Sequence, residues 1–210
     1  MMKSQRFGLA LGVAALAAAA ATAFAVPAGA HVQAAGAAKP GAWCGGSLWK
    51  LMTLSDSSRK SVQWGAAQTS IPDLAKLTAP KRVLASRSSS FQKQMWQVTA
   101  VIDRYRVASN GELVFELYDV PSGMYMNAYM PNPACLSSTT RGRAQIVAAR
   151  NAFTSACPAA TGDWQMLGAT ATLQGVGFWN PVKTTLGALG NGAELRPVTN
   201  FVLVQGCGKF

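Results

Sequence analysis

Histidine is almost missing from this sequence: His31 is the only one in 210 residues, and acidic residues number just eight. A lone imidazole near the N-terminus leaves no general base for a serine or cysteine nucleophile and no histidine cluster for a transition metal. The acids are scattered. Glu112 and Glu116, or Glu116 and Asp119, are the nearest neighbours, and on a strand such spacings alternate or diverge rather than forming a carboxylate pair. Cys44, Cys135, Cys157 and Cys207 contain no C-x-x-C pair, which argues against zinc. These absences predict a non-enzymatic chain with no cofactor and no metal, and no membrane-crossing apolar run follows residue 30.

What the sequence does have begins with a leader. Met1–Ala30 carries Lys3 and Arg6, an alanine-rich apolar run from Phe7 to Val26, and then Ala28-Gly29-Ala30. This pattern predicts a secretory signal peptide cleaved after Ala30, with Ala25 a second possible cut. A membrane anchor fits less well, because the run is dominated by alanine and followed by small residues. The Ala, Gly and Pro-rich residues 31–43 read as a flexible leader and residues 44–210 as one domain. Secretion or release into a periplasm follows. There, oxidation is the default and four cysteines make two disulfides. A Cys135–Cys157 bond would have to span a predicted helix over ~20 Å long, which favours Cys44–Cys135 with Cys157–Cys207.

Positive charge is in excess, with 19 basic residues against 8 acidic ones. Without Lys3 and Arg6 the formal charge is still about +9. Such an excess suits an anionic polymer or envelope component as partner, and equally suits plain solubility.

Along the chain, Leu48–Thr53 reads as a short first strand, ended by Ser55-Asp56-Ser57-Ser58. Thr69–Leu77 reads as including a helical turn begun by Pro72-Asp73. Lys81, Arg82, Arg87 and Lys93 read as a solvated basic loop. In Met95–Val107, Trp96, Val98, Ala100 and Ile102 alternate with Gln97, Thr99 and Asp103, as a half-buried strand requires. Ser109-Asn110-Gly111 turns the chain into Glu112–Asp119, and Pro121-Ser122-Gly123 turns it into Met124–Met130. Arg141–Ala156 is the expected helix, with Ser137, Ser138 and Thr139 as cap candidates and Ile146, Ala149, Phe153 and Ala156 as its apolar stripe. Two long strands follow, through Trp179 and over Ala193–Val204, closing through Asn191-Gly192 as the last hairpin. Three strands, a helix about 141–156 and two strands predict a mainly β chain: a small five-stranded OB-fold-like barrel with one capping helix. An immunoglobulin-like sandwich would require about seven strands and no such helix.

A barrel of this kind binds polymers across the face of its second and third strands, by aromatic stacking and cations. Arg104, Arg106, Trp179, Lys183 and Arg196 are the candidates, with Tyr118, Tyr125 and Tyr129 nearby. The competing role for the six Trp, four Tyr and eight Phe is burial. Leu117–Pro121 carries a faint Asp-x-Pro echo of the metal-site strand of secreted calcium-dependent nucleases built on the same barrel, but the only nearby acids are Asp103, Glu112 and Glu116, and no Asp-Gly-Asp motif supports it. The function expected is a non-catalytic binding module for an anionic or sugar-like ligand, nucleic acid or glycan. The alternatives are an envelope scaffold and a calcium-dependent nuclease.

Further motifs carry a resemblance. Cys44, Gly45, Trp49, Thr53 and Asp56; Pro131, Pro133 and Cys135; Ala149, Arg150 and Phe153; Gly175–Phe178; and Asn191–Val198 follow a recurring pattern. It begins Cys-Gly-x-Glu-Arg-Trp-x-Val-Lys-Thr and ends Gly-Val-Gly-Phe-Phe-Asp, Asn-Gly-Ile-Glu-Leu-His-Pro-Val. Nearly the whole of residues 44–210 thus resembles a group of uncharacterised secreted bacterial proteins. The resemblance implies export and fold, and the group's two recurrent cysteines fall at Cys44 and Cys135. It implies no mechanism. Ser47, Leu48 and Met52 replace the group's charged residues, Trp179-Asn180 replaces Phe-Asp, and its two histidines are replaced around Val182-Lys183 and by Arg196. If those histidines or charges serve an activity, this chain has lost or altered it.

Overall fold

The structure is a computed structural model that describes residues 44–207; the expected signal peptide, the leader and His31 lie outside the described residues. The elements run α1 (Trp49–Met52), β1 (Gln63–Gln68), α2 (Ile71–Ala75), β2 (Gln94–Val107), β3 (Leu113–Asp119), β4 (Met124–Met130), α3 (Arg143–Ala156), β5 (Gln165–Trp179) and β6 (Ala193–Gln205), with short 3₁₀ turns between them. The chain is mainly β, as expected. Six strands form one sheet in the order β1-β2-β3-β4-β6-β5, and β2 also pairs with β5, so β2 to β6 run round a ring.

The ring is irregular. β2 and β3, β3 and β4, β2 and β5, and β5 and β6 are antiparallel over long registers. β4 and β6 meet in parallel through the single pair Ala128 and Leu195. Register shifts interrupt β2 between Ile102 and Arg104, and β5 with β6 around Gly175 and Gly177. Bulges of this sort raise local twist and let a sheet bend onto itself. Gly177 is needed for another reason: a side chain there would run into the carbonyl and ring of Phe91.

Two expectations at the start of the domain are corrected. Leu48–Thr53 is not a strand: Trp49–Met52 form the short helix α1, capped by Leu48 and Thr53. Its register is sealed when the Thr53 hydroxyl donates to the Trp49 carbonyl at 2.9 Å, and Leu51 and Leu54 are buried at helical spacing. The outer strand is β1 instead, parallel to β2 and added to the five strands expected.

Helix α3 begins at Arg143, and its N-cap is Gly142 at φ 68° rather than a hydroxyl of Ser137–Thr139. Ser137 and Thr139 bond each other at 2.9 Å. Arg141 fixes the entry instead, donating to the carbonyls of Arg59 and Val62 at 2.9 and 2.8 Å with its guanidinium over Trp64. Gly142 lies so close to Trp64 that a side chain would collide with the indole. Ile146, Ala149 and Phe153 are buried, and Phe153 meets Tyr105, Phe115 and Phe201 edge-on. Together these rings and the inward residues of the ring form the core.

The disulfides are Cys44–Cys135 and Cys157–Cys207, with Cα separations of 5.3 and 4.6 Å, in the expected pairing. They close long loops, and in the chain-entropy account each removes about 4 to 5 kcal/mol of denatured-state freedom. Among the described residues no helix is long and apolar enough to cross a membrane.

A loop-built cationic cleft as candidate functional site

Asn191 builds the site. At the end of the long β5–β6 connection its amide donates to the carbonyls of Leu74, Ala75 and Leu77 at 2.8, 3.2 and 3.0 Å. Those carbonyls belong to α2 and its end, where Ser70 caps the helix by accepting from the Asp73 amide at 3.2 Å. One amide thus ties the closing hairpin to the chain before residue 83. The neck of the connection is shut by Asn180 N–H donating to the Gly192 carbonyl at 2.7 Å. Gly192 has φ 77°, and a side chain there would run into the Asn180 carbonyl.

Between the two tied segments lies an open cleft of about 330 Å³. Lys81 and Arg82 line one wall and Lys183 the other, with Trp179, Asn180 and Asn191 also contributing, and among the described residues no acidic one lines it. The three cations are exposed. Trp179 is 2% exposed, its indole N–H donates to the Ser89 hydroxyl at 2.9 Å, and its ring packs 4.6 Å from Phe91. It is a wall of the cleft held from behind, not a free stacking platform.

Of the five residues proposed from sequence, Trp179 and Lys183 therefore meet here and three do not. Arg104 stands on β2 beside Asp103 at 3.4 Å and Glu116 at 3.6 Å. Arg106 lies over the Trp164 ring at 4.9 Å. Arg196 is 8% exposed: its Nε donates to Glu112 Oε1 at 3.2 Å and its Nη2 to Glu112 Oε2, while Glu194 lies 3.5 Å away. Tyr129 lies beneath the same guanidinium at 4.2 Å. Lys81 and Arg82 complete the cleft from the loop read as solvated. Arg87 of that loop is buried, contrary to that reading, because it donates to Asp56 Oδ2 at 2.9 Å and to the carbonyls of Leu51 and Gln92.

Glu112, Glu116, Asn127, Tyr129, Glu194 and Arg196 make a buried polar belt, and residue 187 of the β5–β6 connection sits against Glu116 and Asn127. Burial pushes the Glu194 carboxyl up to about 7, against the pull of Arg196 and of the Asn180 amide that donates to it at 3.0 Å. Burial also raises Glu116, offset in part by Arg104. Of the three acids near the nuclease echo, Glu112 is clamped by Arg196, while Asp103 and Glu116 lie 3.4 and 3.6 Å from Arg104. Among the described residues no group of three or more His, Cys, Asp or Glu side chains is arranged to hold a metal ion.

Fold and site together define a mainly β, disulfide-bonded protein with a cationic cleft built from loops. No protein-family model matches the chain, and no curated protein matches it.

Proposed function

We propose that this protein is an exported, non-catalytic binding module whose ligand is an anionic or sugar-like polymer, seated in the cleft between residues 79–83 and 179–183. One observation carries the reading: Lys81, Arg82 and Lys183 converge on one concavity that no acid among the described residues lines. Cations held apart from counterions attract anions at long range, and the tied loops fix their spacing in advance. The two disulfides are compatible with an oxidising, extracellular location. The order of the ring strands, with α3 between β4 and β5, supports an OB-type reading of the sheet. The sequence motifs from Cys44 to Val198 support a place among the secreted bacterial proteins that they resemble.

The test is a titration of labelled single-stranded oligonucleotide and of an acidic glycan at about 50 and 200 mM salt. Three phosphate contacts on a single strand release enough counterions to weaken binding roughly 20-fold across that interval. Lys81→Ala with Lys183→Ala should remove most of that dependence. If neither polymer binds at the lower salt, the envelope-scaffold alternative stands.

A further inference from the structure

A second concavity, of about 410 Å³, lies between α3 and the sheet, and it has the opposite chemistry. Trp64 of β1 and Phe201 of β6 give it aromatic walls, and Gln145 of α3, Gln174 of β5, Thr199 and Asn200 of β6 give it polar ones. Among the described residues no charged one lines it, although the chain carries a formal charge of +11. The hollow exists because α3 presents small side chains at this level, among them Ala148 and Ala152.

We propose that this cavity binds an uncharged saccharide unit, independently of the cationic cleft. Its size falls within the range of small-molecule sites, which combine apolar walls with a few placed polar groups. Each amide offers both a donor and an acceptor, which is what a ring of hydroxyls requires, because every hydroxyl is both. Indole and phenyl walls accept the C–H faces of such a ring.

Part of the polar set is oriented beforehand. The Gln174 amide donates to Gln97 Oε1 at 2.8 Å, and the Thr199 hydroxyl donates to the Gln174 carbonyl at 3.3 Å. Trp64 is fixed by Arg141, whose guanidinium lies 4.7 Å from its ring centre. A purely apolar ligand would shut the Gln145 and Asn200 amides away from water, which costs about 1–3 kcal/mol for each group left without a partner. An anionic ligand would find no countercharge in the lining. A neutral, hydroxyl-rich ring satisfies both walls.

Titration of the full protein with glucose, N-acetylglucosamine and their short oligomers, followed by tryptophan fluorescence and amide chemical shifts, tests the assignment. Binding should be unchanged between about 50 and 200 mM salt, since no counterions are released. Lys81→Ala with Lys183→Ala should not alter it. Asn200→Ala and Gln145→Ala, at exposed positions, should each weaken binding roughly 5- to 10-fold, the share of one hydrogen bond. Ala152→Trp, on an exposed position of α3, should fill the hollow and abolish binding while the circular dichroism and melting of the protein stay those of the parent. Two results overturn the proposal: no neutral sugar perturbs the protein, or binding survives both Ala152→Trp and Asn200→Ala.

Discussion

Lys183 and Arg196 lie on the two sides of the Asn191-Gly192 turn, carry the same charge, and have opposite fates. Lys183 stands on a loop, exposed, with two other cations across a cleft. Arg196 stands on β6, buried, clamped to Glu112, close to Glu194 and over Tyr129. The difference is one of solvent. A charge covered by strand and loop must find a partner or be lost to desolvation, whereas a charge left in water needs none and stays available to a ligand. In this protein the buried polar belt is a matter of stability, and the cleft, on the proposed reading, is a matter of binding.

The strongest way to break that contrast is Arg196→Ala. It leaves Glu112 and Glu194 buried without their main countercharge, and breaking such a pair costs about 3–5 kcal/mol. Urea unfolding should show the loss as a lower midpoint with an unchanged slope. Arg196→Met combined with Glu112→Gln should recover much of it, because the uncompensated charge at Glu112 is gone. An Arg196→Ala protein as stable as the parent would show that the belt does not hold the fold.

Glu194 sharpens the comparison through pH. Its folded-state carboxyl titrates at about 7, above the ordinary 4.5, because burial disfavours the charged form. Between those values the folded protein holds a proton that the unfolded chain has released, so stability falls as pH rises through that window. Above about pH 7 the folded state carries the full cost of the buried charge, roughly 3 kcal/mol at most for a displacement of this size. Thermal melts of the parent from pH 4.5 to 8 should show this decline, and Glu194→Gln should flatten it. A parallel decline in the variant would assign the pH dependence to another group.

How much of this could be read from the sequence depends on where water lies. β2, β3, β4 and the closing hairpin were legible because turn residues such as Asn110-Gly111 and Asn191-Gly192 punctuate them and β2 alternates. α1 reads as a strand because six apolar-rich residues fit a strand or a helix equally, and the tertiary burial of Leu51 and Leu54 decides between them. β1 carries no signal of its own: Gln-Trp-Gly-Ala-Ala-Gln is a strand because β2 offers it an edge. Arg196 reads as available to a ligand because Ala193–Thr199 is buried at every position, so alternation gives no inside or outside. Lys81 and Arg82 do not read as part of the cleft because they lie far from Lys183 in the chain. The Asn191 amide, bonded to three carbonyls of another segment, and the packing of Leu77, Ala79 and Val83 on the core that includes Trp179 bring them together.

The smallest expected effect tests the exposed side of the comparison. Lys81→Ala with Lys183→Ala removes two exposed cations from a cleft that no acid lines. No ion pair is broken and no buried group is left without a partner, so stability should stay within about 0.5 kcal/mol of the parent, as for most surface changes. Lower self-repulsion in a chain of formal charge +11 acts, if anything, in the stabilising direction, more visibly at low salt than at high. Melting at two salt concentrations, beside the polymer titration, therefore separates the two regions. Loss of polymer binding with unaltered melting belongs to a binding cleft. A fall of more than about 2 kcal/mol would instead mean that these lysines hold the loops in place, and would merge the cleft with the belt as one stabilising device.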